Sequence, residues 1–199
     1  AVGVLINFAI TQYVLDFLAV PVGGLQNLQS IEVTENVGVF MRVSLLGGFI
    51  LAFPFIIYQI IAFIMPGLKG SERKWIFLSI PFAFIMFVGG VAFAYFIMLP
   101  AAVPFLIDFL GVKTTPRLSN YMNFVTNLMF WIGISFESPL LIFILAKLHL
   151  VTPRSLLKGW KIAVVISAVL AAFITPTVDP VNMALLMAPL MGLYFLSII

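Results

Sequence analysis

The chain has 199 residues, 63% of them hydrophobic and 9% charged, with a formal net charge of +3 and a mean hydropathy of +1.23. Soluble domains carry about 25% charged residues, so this composition excludes an ordinary globular domain and reads as a polytopic membrane protein. With no cysteine there is no disulfide framework, thiol nucleophile or Cys–metal site, and no Lys/Arg cluster reads as a nucleic-acid patch.

Runs free or nearly free of charge predict six transmembrane helices, at about 1–18, 37–64, 75–99, 121–147, 160–174 and 181–199. Most approach the ~20 residues that span a bilayer. The runs lack the alternating polarity of barrel strands, and open strands would leave backbone groups unpaired in lipid. The fold class is therefore all-α, with residues 1–199 forming a single integral membrane domain. The chain opens and closes inside apolar runs, with no initiator Met and no basic leader. The native N-terminal cytoplasmic stretch and the C-terminus are expected to lie beyond it.

Two spans have unusual lengths. The third apolar run, Trp75–Ile107, is too long for one crossing, and Pro100 with Pro104 is expected to end the helix. The fifth is short before Pro176, which implies local thinning of the bilayer or shelter by neighbours. Small residues four apart, Gly48/Ala52, Gly90/Ala94 and Ala168/Ala172, are candidates for close helix approach.

Lysines and arginines set the orientation. Lys69, Arg73, Lys74, Lys147, Arg154, Lys158 and Lys161 fall on one side, against Arg42, Lys113 and Arg117 on the other. The first side is cytoplasmic by the positive-inside rule, and six spans then place both termini there.

Few residues could carry chemistry. Glu137 lies mid-run between Tyr121 and Ala146, about halfway through a ~30 Å hydrocarbon core. A carboxylate there costs about 2.5–3.5 kcal/mol, so it faces a cavity, a partner or a proton path, or is satisfied within the bundle. His149, the one histidine, sits in a predicted loop without a second His, a Cys or a phosphate loop, so no catalytic residue, metal site or cofactor is expected. In the first cytoplasmic loop, Glu72 either favours the positive end of the third helix or serves as a ligand.

That loop, Tyr58-Gln59 through Phe63-Ile64, Pro66-Gly67-Leu68 and Glu72-Arg73, resembles the TatC family, the receptor subunit of the twin-arginine translocase. Further matches follow in order: Phe93-Ala94-Tyr95-Phe96 with Leu99-Pro100, Gly133-Ile134-Ser135-Phe136-Glu137-Ser138-Pro139, Val151-Thr152-Pro153, and Ile174-Thr175-Pro176-Thr177-Val178-Asp179-Pro180. The resemblance covers residues 34–195. It implies a cupped six-helix bundle with short fifth and sixth helices in the bacterial cytoplasmic (inner) membrane. It also implies binding of twin-arginine signal peptides of folded proteins, recruitment of single-span TatA and TatB, assembly with other copies, and export driven by the proton-motive force.

By the same resemblance, Glu72 and Phe63 match the signal-peptide recognition patch. A carboxylate can accept a guanidinium bidentately, which an ammonium cannot reproduce. Glu137 matches the family's intramembrane acid, expected on the concave face as a partner contact. Asp179 matches an acidic outer-loop residue, with a helix cap as the alternative. Met183 and Phe195 depart from the polar residues that relatives carry there. A proton-coupled small-solute transporter using Glu137 is the alternative function; composition permits it, although no internal repeat supports it.

Overall fold

Backbone amides find no partner in hydrocarbon, so runs this apolar fold into helices that close their own hydrogen bonds. The computed structural model describes residues 2–32, 34–64, 70–107, 115–174 and 180–198, without the side chains of 2–9, 70–78, 106, 181 and 182. In chain order the helices are α1 (Val2–Ala19), α2 (Glu35–Ile64), α3 (Gly70–Phe93), α4 (Leu99–Ile107), α5 (Leu118–Ser135), α6 (Ser138–Lys147), α7 (Pro153–Lys158), α8 (Trp160–Ile174) and α9 (Pro180–Leu196). Among the described residues there is no strand beyond one isolated bridge between Gln29 and Arg117. Three segments are long and apolar enough to cross a membrane: Glu35–Ile64, Ser79–Phe105 and Leu118–Lys147. Ile10–Val22, Trp160–Ile174 and Met183–Leu196 are apolar but shorter.

The third helix corrects the expectation that Pro100 and Pro104 end it. Helix continues from α3 through five residues of wider, π-type turn, Ala94–Met98, straight into α4. The Leu99 N–H reaches back to the Ala94 carbonyl, five residues away. A proline ring normally collides with the carbonyl four residues earlier. The widened turn makes room for Pro100 and keeps the segment helical.

The fourth predicted span is divided. Residues Phe136 and Glu137 form a turn between α5 and α6, with the Glu137 N–H bonded three residues back to Ile134. Pro139, in the first turn of α6, lacks an N–H and cannot continue the α5 ladder.

The chain clusters into two compact units, residues 1–52 with 91–130, and residues 53–90 with 131–199. In the first, Thr11 and Ser44 share a 2.6 Å hydroxyl–hydroxyl bond and are both buried. Tyr95 donates to the Phe17 carbonyl and Tyr121 to the Leu18 carbonyl, satisfying acceptors that the end of α1 leaves unpaired. After α1 the chain reverses at Gly23 and Gly24, with φ of 89° and 102°. A side chain at Gly23 would also strike Asn27, whose amide is committed to the Val22 carbonyl at 3.0 Å.

In the second unit Phe53 stacks on Phe87, ring centroids 3.8 Å apart. Ala83 of α3 is buried with Leu140 and Ile144 of α6. Gly90 permits the closest approach, since a Cβ there would lie 2.8 Å from Phe136 Cγ and 3.0 Å from Gly133 Cα. Of the predicted small-residue pairs, Gly90 is thus a real contact point, made with α5 and the turn that follows it.

Candidate functional site

In the second unit, the end of α2 packs against its neighbours through isoleucines. Ile57, Ile61 and Ile64 on its last turns pack against Ile80 of α3 and Leu148 after α6. Phe63, on the same turns, projects outward and is 86% exposed. Apolar packing thus anchors its neighbours while the Phe63 ring stays exposed. Glu72 falls in the first turns of α3, but its side chain, like the loop 65–69 before it, lies outside the described residues. Asp179 also lies outside them, just ahead of α9.

Glu137 occupies the turn between α5 and α6, where the helical ladder is already broken. It is 5% exposed, and both carboxyl oxygens are buried with no hydrogen-bond partner among the described residues. The backbone of Phe87 is close enough to interact electrostatically but not in hydrogen-bonding geometry. The carboxyl is turned into the protein interior. A buried polar group without a partner costs about 1–3 kcal/mol, and such groups call for a functional reason.

Sequence reasoning passed over the groove beside this turn. It has a volume of about 340 Å³ and is lined by Ser135 and Ser138, by Ser155 and Leu156 of α7, and by residues of α8 and α9 including Ser167, Leu190 and Tyr194. Its polar groups are mostly committed: Ser135 donates to the Trp131 carbonyl, Tyr194 to the Leu156 carbonyl, and Ser167 contacts the Met191 sulfur at 3.5 Å. The Ser138 hydroxyl is not so committed among the described residues. Such a groove, apolar with few hydroxyls, suits a helix or hydrocarbon chain better than a hydrophilic solute. A serine pattern around Pro139 was the only signal in the sequence. Of the departures noted above, Met183 is half-buried on α9, and Phe195 is exposed and packs edge-on against Tyr194.

In the first unit, Glu35 ties the turn before α2 to the first turn of α5. Its Oε2 accepts the Ile31 and Glu32 amides and Arg117 Nε–H, while Oε1 accepts the Ser119 amide at 2.7 Å. Arg117 also meets Glu32 at 2.8 Å. Hydrogen bonds donated to Glu32 and then to Glu35 hold the guanidinium above its ordinary range. Among the described residues no cluster of His, Cys, Asp and Glu could hold a metal.

Comparisons with known proteins place the all-helical, apolar chain in a family. Residues 1–189 match the family model described as Sec-independent protein translocase protein (TatC). The chain belongs to the TatC family. It is 38% identical to the Sec-independent protein translocase protein TatC of Carboxydothermus hydrogenoformans, over 99% of this chain and 82% of that one. The TatC protein of Deinococcus radiodurans is 37% identical, over 100% of this chain and 77% of its own length. Two crystal structures of the twin-arginine translocase receptor TatC superimpose with TM-scores of 0.89 and 0.84 at 32% and 34% identity. Each covers 99% of this chain, and 90% and 89% respectively of the solved one. As a TatC-family protein the chain is a membrane component of Sec-independent protein translocation, a transport family and not an enzyme.

Proposed function

We propose that this chain is the core receptor of a twin-arginine translocase in a bacterial cytoplasmic membrane. It binds twin-arginine signal peptides at the cytoplasmic face and recruits single-span TatA- and TatB-type partners for export driven by the proton-motive force. The chain forms one integral membrane domain of six spans with both termini cytoplasmic, as the lysine and arginine distribution requires. Several copies assemble together.

In this reading Glu72 accepts the arginine pair as a bidentate carboxylate, and Phe63 supports the apolar residues beside it. Glu137 is the membrane-level contact: a polar side chain on a partner helix supplies the hydrogen bond that its own bundle does not. Partner helices run along α8 and α9, and Asp179 contributes at the opposite face or caps α9. The observation that carries the reading is the orphaned Glu137 carboxyl, held at a break in a span of a chain related to TatC along nearly its whole length.

Site-specific crosslinking to a signal peptide in membranes tests it. Wild type is expected to crosslink an Arg-Arg peptide and not its Lys-Lys counterpart, and Glu72→Ala to lose the adduct. Equal labelling of both peptides, or an unchanged Glu72→Ala variant, would rule out the role given to Glu72.

A further inference from the structure

A second groove, in the first unit and lined by none of the residues proposed above for signal-peptide or partner contact, has a cation at one end and hydrocarbon at the other. It lies between α2 and α5 and has a volume of about 330 Å³. Arg42 is part of its wall, with Asn127 and Thr126 opposite. The remaining walls are Leu45, Leu46 and Phe49 on α2 and Phe130 on α5.

The register of the two helices fixes what lies at which depth. Glu35 at the start of α2 holds the Ser119 amide at the start of α5, so the two helices begin side by side. Arg42 is seven residues beyond Glu35 and Thr126 seven beyond Ser119, so both stand about 10 Å along their helices. Phe49 and Phe130 are further along and touch, with ring centroids 5.0 Å apart. Helical side chains lean toward the N-terminus, so a long Arg42 side chain returns its guanidinium toward the start of both helices. The apolar wall continues the other way for about 10 Å.

Arg42 has no ion pair among the described residues. Glu32 and Glu35 are both bound to Arg117, so neither is available to it. An arginine on a membrane span without a protein partner calls for one from outside. Thr126 spends its hydroxyl on the Met122 carbonyl, which leaves the exposed Asn127 amide as the neighbouring donor. Two donors above an apolar wall complement a phosphodiester carried on acyl chains.

We propose that this groove binds one anionic phospholipid, with its phosphate on Arg42 and Asn127 and an acyl chain along Leu45, Phe49 and Phe130. Guanidinium matches phosphate oxygens bidentately, and lysine at the same place meets them only as a point charge. The lipid covers an otherwise exposed cation and steadies the junction of α2 with α5.

The test uses the full chain in lipid nanodiscs loaded with one copy each. The discs are of phosphatidylcholine carrying a minor fraction of phosphatidylglycerol with a photoreactive group in its acyl chain. Adducts are mapped by mass spectrometry. The expected result is labelling concentrated at Leu45, Phe49 and Phe130, reduced about fivefold in Arg42→Gln, with labelling elsewhere on the chain unchanged. Arg42→Lys should retain an intermediate share, and Leu45→Trp, which fills the groove, should remove the adduct while keeping Arg42. Unchanged groove labelling in Arg42→Gln overturns the proposal, as does labelling spread evenly around the helices. Displacement of the lipid by inorganic phosphate would make the site one for a free anion. Displacement by an acidic single-span peptide would make it a helix-docking site. Either result also overturns it.

Discussion

Arg117 donates its Nε–H to the buried Glu35 carboxylate at 3.1 Å, fastening the start of α2 to the start of α5 across 82 residues of sequence. The same carboxylate takes three backbone amides, so one side chain both caps a helix and joins two segments. Arg117→Ala leaves that carboxylate buried without its cation, whereas Glu32→Ala removes only the outer, exposed half of the pair. Thermal unfolding in detergent should show Arg117→Ala melting several degrees lower than Glu32→Ala. Equal melting temperatures would show that the backbone amides alone suffice.

The cationic end of this clamp does not titrate near neutrality. Arginine is protonated throughout the ordinary pH range, and the two acids beside Arg117 raise its value further. A group raised on folding stabilises fully below its unfolded value and loses that contribution only as pH rises through the folded one. The clamp should therefore hold through neutral and mildly alkaline pH, and the melting difference between wild type and Arg117→Ala should be flat across that range. A difference that vanishes at mildly alkaline pH would contradict this.

Gly90 faces Phe136 and Gly133 with no room for a methyl group. Gly90→Ala should destabilise the protein by about 1–3 kcal/mol, the usual range for overpacking, despite alanine's better helix propensity. Phe136→Ala should not restore it, because the Phe136 Cβ (2.9 Å) and the Gly133 Cα (3.0 Å) would still collide. Denaturation of the single and double variants distinguishes these cases.

Glu137 should behave as a residue kept at a cost. Replacement by an apolar side chain of similar length removes a buried group that has no partner among the described residues. Glu137→Met is thus expected to stabilise the chain by about 1–3 kcal/mol, while export of a reporter falls. A variant that melts lower and still exports would make the acid a structural element with an unrecognised partner.

Tyr194 ties α9 to α7 through the Leu156 carbonyl. That carbonyl also accepts the Gly159 amide at 2.9 Å, so losing the phenol does not orphan it. Tyr194→Phe should cost about 0.5–1.5 kcal/mol, toward the lower end. Hydrogen exchange at the Gly159 amide should accelerate only modestly; complete loss of protection would mean that the phenol holds the α7–α8 turn in place.

The helical class, the α2 and α8 boundaries and the family were legible in the residues themselves, within about two positions at those helix ends. Helix formation in hydrocarbon is local: each carbonyl is satisfied four residues along, and apolar run length sets the span. The TatC signature is likewise a property of order along the chain. Proline misled at Pro100 because its penalty depends on the carbonyl behind it, and a widened turn at Ala94–Met98 moves that carbonyl away.

What only the tertiary structure decided are the pairings between distant positions. Arg117 reads in the sequence as a loop charge, Gly90 as one small residue among many, and Arg42 as a count toward topology. Each acquires meaning from a partner 46 to 85 residues away, at Glu35, Phe136 or Asn127. The direction of the Glu137 carboxyl belongs with these. Spacing gives its depth in the span, but whether its oxygens meet a donor depends on how α3, α5 and α6 pack, and burial without a partner is a property of that packing alone.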